Sequence, residues 1–147
     1  MRILIVANET IEGTKLRRAI RSQAAGAAAE VLVVAPALNS RLRHWLSDED
    51  EARRDAESRV RNALADLADV GIHAGGVVGD ADPLQALADA LRVFPADELI
   101  ISTQPEHRSH WLARDLVGRA RARFGLPAVR IEETGHQAEV LSKAAGF

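Results

Sequence analysis

The stretch Ser102-Thr103-Gln104-Pro105-Glu106-His107-Arg108-Ser109-His110-Trp111 gathers an unusual density of chemistry-bearing side chains. Ser102, Thr103 and Ser109 supply hydroxyls and Arg108 a guanidinium, with Arg114 a short way beyond. Guanidinium and hydroxyl donors suit phosphate or carboxylate oxygens. A helix starting after Ser109 adds backbone N–H groups without intrahelical partners. The stretch is therefore a candidate anion or modified-nucleotide site. The plainer reading is that Ser109 caps the helix and Arg108 is solvated. No nucleophile stands beside a recognisable general base, so no catalytic residue is assigned.

A second segment, Arg41-Leu42-Arg43-His44-Trp45, echoes Arg108-Ser109-His110-Trp111. The chain has two tryptophans and no tyrosine. Trp45 and Trp111 suit stacking against a base or a partner, with Arg41 and Arg43 on a phosphate. Alternatively, both rings staple the starts of their helices to the core. His107 and His110 stand three apart, and His44 could approach them, but no further ligand has convincing spacing; no metal site is assigned. Asp80 and Asp82 form a carboxylate pair, although Asp82 sits where a helix cap belongs. Arg114, Arg119, Arg121 and Arg123 make a basic cluster suited to an acidic surface, or simply to solvent. No aromatic residue is interleaved to stack bases, so nucleic acid is not the expected partner.

The elements that must position these residues follow from composition and period. The chain has 147 residues, 47% hydrophobic and 27% charged, which suits one folded domain and argues against disorder. With no cysteine, disulfides, thiolate zinc sites and cysteine nucleophiles are excluded. A net charge of −2 gives no general pull toward nucleic acid or anionic membranes. No apolar run approaches the ~20 residues that cross a bilayer. Met1–Ala7 is too short for a signal peptide and is followed by Glu9 and Glu12, so a cytoplasmic location is expected.

Ile3–Ala7, Val31–Ala35, Leu99–Ile101 and Ala128–Ile131 are short, largely β-branched runs, as expected of strands buried on both faces. His73–Val78, with Gly75 and Gly76, suits an edge strand. Helical spacing appears in Glu12–Ala25 (Leu16, Ala19, Ile20, Gln23) and in Asp48–Val70 (Ala56, Val60, Ala63, Leu64, Leu67). It returns at Leu84, Leu87, Ala88 and Leu91 after Asp82-Pro83, and at Ala113, Leu116, Val117, Ala120 and Phe124 before Gly125. Alternating strands and helices predict an α/β fold, a parallel sheet with helices on both faces and working loops at the strands' carboxyl ends.

Gly79-Asp80-Ala81-Asp82-Pro83-Leu84-Gln85-Ala86-Leu87 resembles the glycine–aspartate–proline helix start of universal stress proteins. Ala96-Asp97-Glu98-Leu99-Ile100-Ile101 and Leu126-Pro127-Ala128-Val129 resemble the family's later strands, and Ile3-Leu4-Ile5-Val6-Ala7 stands where its first strand does. The resemblance covers residues 1–131. It implies a single doubly wound domain with a five-stranded parallel sheet of order 3-2-1-4-5 and about four helices. That order puts Asn8 and Thr10 beside the Ser102–Trp111 loop.

Two departures touch function. ATP-binding members carry a glycine-rich loop, G-x2-G-x9-G-[ST], after the fourth strand, whereas Ser102–Trp111 contains no glycine. Arg114 and Asp115 stand where its final glycine and hydroxyl belong, and Asn8 replaces an acidic residue used in nucleotide contacts. The standard ATP site is thus not expected. The resemblance also implies a homodimer joined through the last strand, with Val129 and Ile131 at that edge. The expected role is a non-enzymatic, stress-linked regulator or adaptor. The alternative is a protein that binds an anion, ATP or another adenine nucleotide through a rebuilt loop, or weakly hydrolyses one. Residues 132–147 lie beyond the family core. There Val140, Leu141, Ala144 and Phe147 keep helical spacing, suited to docking on a protein partner or dimer mate, or to a frayed end.

Overall fold

Three of the five strands carry continuous apolar runs, which pair side by side only if helices cover both faces of the resulting sheet. A computed structural model describes residues 1–7, 13–24, 28–37, 49–103 and 110–132. The strands are β1 (Arg2–Ala7), β2 (Glu30–Pro36), β3 (Ala74–Gly79), β4 (Glu98–Thr103) and β5 (Ala128–Glu132). The helices among the described residues are α1 (Gly13–Ala24), α2 (Glu49–Asp69), α3 (Pro83–Val93) and α4 (His110–Phe124). All strand pairs are parallel, in the order β3-β2-β1-β4-β5.

That order separates the helices by face. The chain steps from β1 through β2 to β3 in one direction, then crosses to β4 and continues outward to β5. Crossovers of one hand place helices on opposite faces when the direction of travel reverses. Accordingly Leu16, Ile20 and Ala24 of α1 share a core with Ala56, Val60, Ala63 and Leu67 of α2. Leu84, Leu87 and Ala90 of α3 share the other core with Val117 and Ala120 of α4. The strands supply both cores by alternation. Ile3, Ile5 and Ala7 face α1 and α2, whereas Leu4 and Val6 face α3 and α4.

The buried stripe of α3 is wider than Leu84, Leu87, Ala88 and Leu91, because Ala86 and Ala90 are buried as well while Ala88 is half-buried. Its start is as the sequence predicts: Asp82 accepts a hydrogen bond from the Leu84 N–H at 3.0 Å, and Pro83 occupies the first turn. Gly125, at φ 65°, closes α4 in a left-handed conformation that a residue with a Cβ resists, and its N–H donates to Arg121 O at 2.9 Å. Gly76 explains the glycine in edge strand β3. A Cβ there would run into Val60 and lie 3.0 Å from Leu64 Cδ1, so α2 packs directly on strand backbone. No helix among the described residues is long and apolar enough to cross a membrane.

Candidate functional site at the carboxyl ends of strands 1 and 4

In an open parallel sheet the crevice lies outside the carboxyl ends of two adjacent strands whose connections leave in opposite directions. Here those strands are β1 and β4, and their last register partners are Ala7 and Ser102. Ser102 is two residues beyond Ile100, which packs with α1 and α2, so its hydroxyl points to the same face. It is the fully buried polar residue among the described ones, with a relative exposure of 0%. Its Oγ has no hydrogen-bond partner. A buried hydroxyl left unpaired costs roughly 1–3 kcal/mol. The strand run imposes that cost: a residue at this register is buried between Ala7 on one side and Ile131 on the other, whatever its polarity.

Arg59 completes this corner of the sheet. Its Nε donates to Ala7 O at 3.3 Å and its Nη2 to Pro36 O at 2.5 Å, bridging the ends of β1 and β2. The side chain is half-buried and comes from α2 on the same face as Ser102. The sequence reading did not single it out. A signal was present, because Arg59 lies three residues after Ala56 and four before Ala63, inside the buried stripe rather than on the charged face.

The predicted site residues divide into three groups. Ser102 is placed with its side chain. Thr103 ends β4 opposite Glu132, while Trp111 and Arg114 lie in the first turns of α4, whose start thus sits at the same end of the sheet. Asn8, Thr10, Arg41, Arg43, Trp45, Arg108 and Ser109 lie outside the described residues, as do His44, His107 and the tail 133–147. Among the described residues no cluster of histidine, aspartate or glutamate is arranged to hold a metal ion.

Other candidates resolve into architecture. Asp80 Oδ1 accepts the Asp82 N–H at 2.9 Å, so the carboxylate pair builds the turn into α3. Beside it, a depression of about 350 Å³ is lined by Ala37, Asp50, Arg53, Gly79 and Asp80, a mixed-charge set with no net preference for an anion. In the basic cluster, Arg121 donates through both Nε and Nη2 to Ala128 O, and Arg123 lies 5.3 Å from the Phe124 ring centre. Arg121 is thus spent on the protein's own backbone.

β5 is a sheet edge. Leu99 N bonds Pro127 O, so alternation turns the backbone groups of Val129 and Ile131 toward β4 and those of Ala128 and Arg130 outward. The Val129 and Ile131 side chains pack against the α1–α2 core. Any pairing at this edge therefore runs through backbone, starting beyond the carbonyl that Arg121 covers.

No family model matches the sequence, and no curated protein does. Solved structures do match. A universal stress protein in complex with cAMP aligns over 91% of this chain and 98% of its own, with TM-score 0.63 and 12% identity. A universal stress protein from Archaeoglobus fulgidus aligns over 89% and 98%, with TM-score 0.62 and 16% identity. A universal stress protein family protein from Arabidopsis thaliana with AMP bound aligns over 93% and 94%, with TM-score 0.54 and 10% identity. The chain has the universal stress protein fold. At such identities the likeness speaks for architecture, and function must be argued from the site.

Proposed function

We propose that this chain is a non-enzymatic regulator or adaptor of the universal stress protein kind, acting as a homodimer paired through β5. The observation that supports the reading is the pairing of this fold with an edge strand, β5, whose Ala128 and Arg130 backbone groups face outward. Sedimentation over a range of concentrations tests it. The wild type is expected to be dimeric, and Arg130→Pro, which removes an outward N–H while leaving the ladder to β4 intact, is expected to be monomeric. A wild type that stays monomeric at every concentration overturns the homodimer.

A second reading has its own support. The unpaired Ser102 hydroxyl at the strand reversal favours a small ligand there, and two proteins of this fold hold cAMP and AMP. In this reading the chain binds an anion or adenine nucleotide through a rebuilt loop, with Asn8, Thr10, Thr103, Arg108, Ser109 and Arg114 as further donors. Arg41 and Arg43 contribute from the second loop, where Trp45 stacks, as Trp111 does from α4. Calorimetric titration with AMP and cAMP tests it: saturable binding weakened by Ser102→Ala supports the reading, and no heat at millimolar ligand refutes it.

A further inference from the structure

β3 ends the sheet on the side opposite β5, and among the described residues nothing pairs with its outer edge. Edge strands are commonly guarded by charge, proline or a bulge, because their free N–H and C=O groups recruit further strands. β5 is guarded: it carries Arg130 and Glu132, and Arg121 covers the carbonyl of Ala128. β3 is not. Its sequence Ala-Gly-Gly-Val-Val-Gly holds no charge and no proline, and its register with β2 runs from Ala74 to Gly79 without a bulge. Ala37 N donates to Gly79 O, so alternation turns the backbone of Gly75, Val77 and Gly79 toward β2 and that of Gly76 and Val78 outward.

An apolar groove accompanies this open edge. Among the described residues the exposed large apolar side chains are Met1, Val77 and Val93, and two of these three line one depression of about 360 Å³ where β3 meets α3. Val34, Ala86 and Ala90 form its floor. Asp80, Asp89 and Arg53 stand on its walls, and Arg53 also borders the adjoining depression, where Asp50 shares it. Three carboxylates thus face one guanidinium, which favours a positively charged partner. Gln85 Nε2 donates to Asp89 Oδ1 at 2.9 Å, orienting that carboxylate without neutralising it.

We propose that the outer edge of β3 takes an extended segment of a partner protein by strand addition, with an apolar side chain of that segment in the groove and a lysine or arginine beside Asp89. This gives the adaptor reading above a partner class, and it uses the edge that a dimer through β5 leaves open. The outward N–H and C=O groups of Gly76 and Val78 supply the ladder, while the groove and Asp89 select the side chains. Gly75 and Gly76 present no side chain to obstruct the incoming backbone.

The test is calorimetric titration with the peptide acetyl-Lys-Thr-Val-Thr-Val-Thr-Lys-amide, whose pattern puts valine and lysine on one face in either strand direction. The wild type is expected to bind it saturably below about 1 mM. N-methylation of the peptide backbone, or glutamate in place of both lysines, should weaken binding about tenfold or more. Val78→Pro removes an outward N–H and leaves the β2 ladder intact, and should weaken binding about tenfold. Asp89→Lys should weaken it about threefold. No saturable binding by the wild type, or equal affinity for either altered peptide, overturns the proposal. Affinity unchanged in both protein variants overturns its place at β3. Should Val78→Pro fail to fold, Asp89→Lys decides alone, because Asp89 is exposed. If the wild type ignores the peptide while Arg130→Pro self-associates and Val77→Lys abolishes this, a second copy covers the edge and the proposal is overturned. Sedimentation of the wild type decides the β5 homodimer separately, so failure of one reading is told apart from failure of the other.

Discussion

Ala7 and Ser102 are register partners at the carboxyl ends of the two strands between which the chain reverses its travel across the sheet. The Ala7 carbonyl is held by Arg59, and the Ser102 hydroxyl is buried beside it with no partner. One corner of the fold thus combines a satisfied backbone, a fixed cation and an unsatisfied hydroxyl. A ligand or an ordered water that bonded the Ser102 hydroxyl would offset the cost of burying it.

Ser102→Ala removes that unpaired hydroxyl and little else. Urea denaturation should show unchanged or increased stability, by up to about 1 kcal/mol. A loss greater than about 1 kcal/mol would mean that the hydroxyl is satisfied in solution.

Gly76→Ala places a methyl group against Val60 and Leu64 across the β3–α2 contact. Moving a helix off a strand, or forcing those side chains out of their rotamers, should cost about 1–3 kcal/mol. Thermal unfolding checks it, with Gly118→Ala as comparison because a Cβ at Gly118 meets nothing within 4 Å. Equal melting points for the two variants would contradict the close approach.

Asp82→Ala deletes the cap on α3 and should lower stability by about 1 kcal/mol, while Asp82→Asn should retain most of it. If both variants lose the same amount, the negative charge at the helix start matters more than the hydrogen bond.

Arg121→Met uncovers the Ala128 carbonyl at the start of the β5 edge. An uncovered edge carbonyl recruits another strand, so self-association measured by light scattering should rise. Arg121→Lys, which keeps a donor, should stay close to the wild type. Identical association by all three proteins would show that this carbonyl has no part in edge pairing.

Much of the fold was legible because its signals are local. Short, largely apolar runs of three to five residues bounded by turns mark the strands, a period of three to four marks the helices, and Asp82-Pro83 marks the start of α3. The glycines of His73–Val78 also pointed to an edge, and β3 is one. The candidate site was legible only in part. The sequence marks Ser102 as a donor of an anion loop but does not encode its complete burial, which depends on Ala7 and Ile131 arriving from strands distant in sequence. Arg121 belongs by sequence to the basic cluster of its helix, and nothing local marks Arg59 as a partner of strand ends, yet both donate to strand carbonyls.

By itself the sequence determined the element order, the α/β class, the cap of α3, the exclusion of cysteine chemistry and, through the family resemblance, the strand order. The element order, the class and the cap rest on neighbours within a turn or a strand, where side-chain period and backbone preference act directly, whereas the strand order is what the resemblance implies. The tertiary structure alone decided that Arg59 spans 52 residues to reach Ala7 and 23 to reach Pro36, and that Gly76 gives way to Val60. It also decided that Ser102 ends in a place without a partner. Contacts between residues so far apart along the chain are fixed by how layers pack, and no local pattern encodes which side chain a strand end will meet.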